Sequence, residues 1–150
     1  MKTRRTVTLR YGNILIEADQ KGIISLELNP GPKEYSEKSI YLDRLEKWLK
    51  KYFNGKRRKA NFPLVLKGTE FEKKVWKAML RIPYDETRSY AWVAKQAGNV
   101  KAYRAAGTAV GKNPIAVVIP CHRVIKSDGS IGGFSSGLRW KRALQSIEKH

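Results

Sequence analysis

The chain has 150 residues, 41% apolar and 29% charged, enough for a packed core in one domain or two small ones and too apolar for a disordered chain. Thirty-one Lys and Arg against thirteen Asp and Glu leave a net charge of +18, split as +8 over residues 1–60 and +10 over residues 61–150; a field this large and this evenly spread points to a polyanion, nucleic acid first, as partner. The longest apolar run, Ile115 to Ile119, is far too short to cross a membrane, the start MKTRRTVTLRYG has no apolar signal region, and one cysteine with only His122 and His150 excludes an internal disulfide and a thiolate-rich zinc site.

In chain order, Thr6 to Tyr11 alternates as a strand, Gly12-Asn13 turns, Ile14 to Ile16 gives a second strand, Asp19 to Gly22 turns again, and Ile23 to Leu28 gives a third. Asn29-Pro30-Gly31-Pro32 stops regular structure. From about Ser36 the period changes. Tyr41, Leu45, Trp48, Leu49, Tyr52 and Phe53 fall on one face of an amphipathic helix that Gly55 ends. Lys56-Arg57-Arg58-Lys59 follows, and reads equally as a linker, a solvated face or a phosphate contact.

Thr69 and Glu72 form a capping box for a helix whose face holds Phe71, Val75, Met79 and Leu80, and Pro83 lies past its end. Ser89 caps a short helix through Tyr90, Val93 and Ala94 that ends at Gly98. Asn99 is expected to cap the next, from Val100 through Arg104 towards Val110. The pair suits a helix-turn-helix; an ordinary helical hairpin fits the pattern equally. After Gly111-Lys112-Asn113-Pro114 and the buried run comes Pro120, then a turn at Ser127 to Ser130 and a Gly/Ser-rich loop from Ile131 to Gly137. Trp140, Ala143, Leu144 and Ile147 mark a closing helix.

Cys121 lies between Pro120 and His122. A lone cysteine in an apolar stretch is a structural residue or a nucleophile, and only the thiolate is reactive. A Cys–His nucleophile also needs a group to orient the imidazole, for which Asp128 and Glu148 are the acidic candidates downstream.

The stretch from Ser89 to Gly137 resembles the O6-alkylguanine-DNA alkyltransferases. The resemblance rests on Ser89-Tyr90, Ala97-Gly98-Asn99, Arg104-Ala105 with Gly107, and Gly111-Lys112-Asn113-Pro114. It continues through Ile119-Pro120-Cys121-His122-Arg123-Val124 and Gly132-Gly133-Phe134-Ser135-Ser136-Gly137. The strong match covers roughly the last 80 residues; residues 1–60 match in layout only. The resemblance implies an α+β protein. Residues 1–60 would form a strand-plus-helix domain (RNase H-like in that family), and residues 61–150 a helical, winged-helix-like domain with a helix-turn-helix.

It also implies stoichiometric repair, in which Cys121 takes the alkyl group from O6 of a damaged guanine in duplex DNA and keeps it, with no cofactor and no metal. His122 would accept the thiol proton through a water and Glu148 would orient His122. Tyr90 would donate a proton towards guanine N3, and Asn113 would fix the turn to the cysteine segment. The base pocket would take in Tyr90, the main chain of Cys121 and Val124, Phe134, and Ser135, Ser136 and Gly137, with Ser135 donating to O6. Arg104 would fill the stack vacated by the flipped base, with Lys101, Ala102, Ala105, Gly107 and Arg123 at the DNA.

Three departures matter. Phe134 stands where many relatives carry tyrosine, so the pocket wall is kept without its hydroxyl. Residues 1–60 lack the cysteine and histidine with which some relatives hold zinc, and Cys121 argues against the non-transferring branch. The expected protein is a cytoplasmic monomer without a membrane segment, nuclear in a eukaryote. A basic DNA-binding module with a structural Cys121 and a cysteine hydrolase are the competing readings.

Overall fold

The three expected strands form a meander. β1 (Thr3–Leu9), β2 (Gly12–Ala18) and β3 (Ile23–Leu28) pair antiparallel in the order β1-β2-β3. The computed structural model describes residues 1–129 and 137–149. It divides into two units, Met1–Leu66 with Pro114–Ala116, and Lys67–Asn113 with Val117–His150.

In the first unit, β2 buries Ile14, Ile16 and Ala18 on one face, as a period of two dictates. A register shift between Glu17 and Ala18 lets β3 bury Ile23 and then Leu26 and Leu28. Gly22 is obligatory, because a Cβ there would lie 2.5 Å from the Pro63 carbonyl oxygen at φ +156°.

Helix α1 (Ile40–Phe53) starts four residues after the change of period near Ser36 and one before Tyr41, the first residue of the apolar pattern. Ser39 is its cap and accepts the amides of Tyr41 and Leu42 at 3.2 and 3.4 Å. The buried face is Leu42, Leu45, Leu49, Tyr52 and Phe53, while Tyr41 and Trp48 are only half-buried. The chain then returns to β3. Ile23 N–H donates to Pro63 O and Val65 N–H to Ile23 O, at 2.9 and 2.8 Å, so residues 61–66 pack with the first unit.

The buried run near Cys121 is not one strand. Leu26 N–H donates to Pro114 O and Ala116 N–H to Leu26 O, which ties Pro114–Ala116 to β3. Val117 then turns at φ +72°, a conformation that a β-branched residue rarely adopts.

In the second unit, α2 (Glu70–Leu80) opens with the expected capping box, both halves present. Its buried face is Val75, Trp76, Ala78 and Met79. Leu80 is 41% exposed, and Trp76 anchors the helix through Nε1–H to Ala109 O at 2.9 Å. A two-residue strand β4 (Arg88–Ser89) leads into α3 (Tyr90–Gln96), capped by Ser89 as expected. After Gly98, at φ +98°, Asn99 does not cap the next helix. Its side chain accepts the Lys101 amide at 3.1 Å and closes a tight turn, so α4 (Tyr103–Gly111) begins three residues later behind Ala102, without a side-chain cap. A 3-10 turn (Cys121–Arg123), β5 (Val124–Ile125) and α5 (Leu138–Glu148) complete the unit.

Candidate active site

Three local devices position Cys121. Asn113, just past α4, donates from Nδ2 to Ile119 O at 2.7 Å and also bonds the Cys121 side chain. The cysteine opens the 3-10 turn, so the Cys121 and His122 amides point at the sulfur. Directly after it, β5 pairs parallel with β4, Ser89 against Ile125. This brings Tyr90, the first residue of α3, near enough to the cysteine for the two to couple electrostatically.

Cys121 is 5% exposed. Burial pushes its thiol up to about 11, against the opposing pulls of Asn113, Lys141 and the two amides. The resting residue is therefore a thiol, and the thiolate has to be made during reaction. Burial, and then the proximity of Cys121, also raise the Tyr90 hydroxyl, which keeps its proton.

His122 is fully buried, and its Nε2 lies 2.5 Å from Glu148 Oε2. Glu148, 3% exposed, receives three further donors: Arg123 Nε at 2.8 Å, Arg123 Nη2 at 2.9 Å and the Asp85 amide at 3.1 Å. A carboxylate facing two guanidinium N–H groups acts as an acceptor, so the imidazole donates from Nε2 and its Nδ1 carries the basic lone pair. Burial lowers His122 more than Glu148 raises it, and Arg123 and Lys141 lower it further, so the ring rests neutral. Gln145 fixes the backbone beneath it, donating to His122 O at 2.8 Å.

Sequence reasoning places Arg123 at the DNA. The structure instead turns its guanidinium inward, where Nη1 donates to Ile82 O at 2.7 Å and the plane lies over Tyr84. Its grip on Glu148 is bidentate.

Lys141 escaped the sequence reading altogether. It lies on the buried face of α5, fully inaccessible, with Nζ donating to Val124 O at 2.7 Å. Burial brings its pKa down to about 8, against the upward pull of Cys121. The only available signal was position: Lys141 follows Trp140 and precedes Leu144 by three on the apolar face. Val124, expected to offer its main chain to a base, has its carbonyl on this ammonium.

A cavity of about 600 Å³ is lined by Tyr90, Ala91, Tyr103, Gly107, Lys126 and Ser127. In the turn before α4 Lys101 is exposed and Ala102 half-exposed, and on α4 Arg104 and Ala105 are exposed and Gly107 half-exposed. The Arg104 guanidinium enters no ion pair among the described residues. Gly137, at φ +97°, starts α5, whereas Phe134, Ser135 and Ser136 lie outside the described residues. Among the described residues no cluster of His, Cys, Asp or Glu could hold a metal, and no helix is long and apolar enough to cross a membrane.

Residues 70–150 match the DNA-binding domain of 6-O-methylguanine DNA methyltransferase, and residues 4–66 match its ribonuclease-like domain. The methylated-DNA–protein-cysteine methyltransferase of Methanosarcina barkeri is 41% identical over 145 residues, 93% of this chain and 92% of the relative. The crystal structure of the Mycobacterium tuberculosis O6-methylguanine methyltransferase superposes with a TM-score of 0.88 at 36% identity, over 99% of this chain and 93% of that one. The same protein solved in complex with DNA gives 0.87 over 98% and 93%. With both units matched in order and a relative this similar along almost the whole chain, the protein belongs to the 6-O-methylguanine DNA methyltransferase family.

Proposed function

We propose that this protein repairs O6-alkylguanine in double-stranded DNA by moving the alkyl group irreversibly to Cys121, one group per molecule. One observation carries the reading: a neutral, buried His122, held by Glu148, which Arg123 in turn grips, directly follows a buried cysteine. His122 Nδ1 takes the thiol proton through a water, and Glu148 stabilises the imidazolium that results. The sulfur attacks the alkyl carbon, the carbon–O6 bond breaks, and its electron pair stays on the guanine. Tyr90 then donates its retained proton to guanine N3 and neutralises the departing base. The thioether has no leaving group that water can displace, so the protein is consumed. Asn113 and Lys141 hold the cysteine segment and Val124 in register.

A stacked lesion cannot reach a buried thiol, so the base flips out at a cost of a few kcal/mol. Arg104, exposed on α4, is the side chain suited to fill the gap, and Lys101, Ala102, Ala105 and Gly107 let the α4 backbone approach the duplex. The cavity beside Tyr90 and Gly107, together with Phe134, Ser135, Ser136 and Gly137, receives the base. The protein works as a monomer, without cofactor, wherever the cell holds its DNA, in the cytoplasm or, in a eukaryote, the nucleus.

The test is the mass of the intact protein after incubation with a duplex carrying one O6-methylguanine. The expected result is a gain of one methyl group, mapped to Cys121, with a plateau at one per protein. Unchanged mass with an intact lesion overturns the reading. Turnover with unmodified protein identifies a hydrolase.

A further inference from the structure

The first unit carries a cluster of cations that alkyl transfer does not use. On α1, Arg44, Lys47 and Lys51 fall at i, i+3 and i+7, one stripe of the helix. The segment after Gly55 doubles back beside this stripe. The turn comes at φ +81°, and Trp48 holds the segment there, with Nε1–H donating to Arg58 O at 3.1 Å. Trp48 itself is fixed by stacking on Tyr52, centroids 5.3 Å apart, and by an edge contact with Phe62 at 6.2 Å. The result is a cavity of about 400 Å³ walled by Arg44, Lys47, Lys51, Arg58 and Lys59, with the indole between them.

The helix segregates its charges. Its two acids, Asp43 and Glu46, turn to Arg5, at 2.8 and 3.2 Å, and Glu46 also takes Lys50 at 2.8 Å. None of the five cavity cations enters an ion pair among the described residues. Lys51 feels its neighbours: Arg58 first, then burial, then Lys47 and Lys56 lower its pKa from the usual lysine value. Gathering like charges around a concave surface is unfavourable unless something anionic enters it. From Arg44 to Lys51 the stripe rises about 10 Å, the length over which one duplex strand presents about three phosphates.

We propose that this cavity is a second nucleic-acid site, gripping the phosphodiester backbone through Arg44, Lys47, Lys51, Arg58 and Lys59, separate from the helix-turn-helix unit. It rests on the reading of the chain as a DNA protein, and adds a backbone contact on the unit that does no chemistry. The Trp48 hydrogen bond and ring contacts fix the backbone at Arg58 beside α1 before DNA arrives, so less backbone freedom is lost on binding.

The experiment compares two triple variants of the full chain that lose equal charge: Lys47→Gln, Lys51→Gln, Arg58→Gln in the cavity, and Lys21→Gln, Lys33→Gln, Lys38→Gln on exposed surface elsewhere on the same unit. Affinity for an undamaged duplex is followed by fluorescence anisotropy across a salt series, with melting curves as a check of folding. The cavity variant is expected to lose about 2.7 from the slope of log K against log salt, about 0.9 per cation, and the surface variant well under one. Single variants Lys51→Gln and Arg58→Gln should each lose about 0.9, which keeps the test open if the triple variant folds poorly. An unchanged slope in the cavity variants, or an equal loss in the surface variant, overturns the proposal. Failure of the repair reading shows separately, as wild-type protein whose mass is unchanged by damaged DNA.

Discussion

Cys121 and Lys141 set opposite demands on one another. The thiol sits at about 11 and the ammonium at about 8, each moved chiefly by burial and each partly restored by the other. Replacing Lys141 by methionine keeps length and apolar volume and removes the cation, so the thiolate becomes harder to form. Transfer from free O6-benzylguanine should slow by about tenfold at pH 7, where the native ammonium is charged, because the thiol is pushed up further without it; single-turnover kinetics read by protein mass check this, and an unaltered rate limits Lys141 to holding Val124. Stability should move the other way. The native lysine is lowered, so between about 8 and its ordinary 10.5 the unfolded chain binds more protons and stability rises with pH. Lys141→Met should therefore raise Tm at pH 7, and the advantage should fade across that window. Neither Lys141 nor the inward turn of Arg123 was legible in the sequence, because a cation becomes internal only through partners far away in the chain. Glu148 follows Arg123 by 25 residues and Val124 precedes Lys141 by 17. Resemblance located Cys121, His122 and Glu148; periodicity alone offered no pairing between them.

At the scale of elements, caps that close on themselves were readable and faces set by distant packing were not. The Thr69–Glu72 box and the Ser89 cap lie within four residues of what they bond, and both form as the pattern requires. Asn99 has the right chemistry for a cap yet spends it on the Lys101 amide, which delays α4 and sets Arg104 on its second helical residue. Ile115 to Ile119 looked continuous, but Leu26 takes its first part and Val117 bends the rest. The placement of α4 yields a prediction. Arg104 is exposed and its backbone oxygen accepts the Thr108 hydroxyl, so truncation should leave the helix intact. Arg104→Ala should slow repair of duplex O6-methylguanine by about a hundredfold, equivalent to about 2.7 kcal/mol, and leave transfer from free O6-benzylguanine nearly unchanged. Parallel rate measurements on the two substrates decide it: equal losses would mean that Arg104 supports the pocket and does not fill the stack.

For the whole molecule, charge and chemistry answer to different variables. The net charge of +18 is carried almost wholly at the surface, whereas the groups proposed to react are buried: Cys121 is 5% exposed, His122 fully buried and Glu148 3% exposed. Surface charges are screened by salt over about 8–10 Å, while buried pairs scarcely respond. On the proposed mechanism counterion release governs how the protein finds DNA, and the desolvated relay governs what happens afterwards. If about six phosphates are contacted, affinity for undamaged duplex should fall by about a thousandfold between 50 and 200 mM salt. Over the same range, the rate of transfer from free O6-benzylguanine should change by less than about twofold, since that substrate brings no phosphate to release. Filter binding and single-turnover mass measurement on one preparation give both numbers. A benzylguanine rate falling in step with affinity would show that surface charge reaches the thiol, and would refute the separation of search from chemistry. A flat binding curve would instead mean that the excess Lys and Arg serve solubility, leaving duplex recognition to the small uncharged residues and backbone of α4.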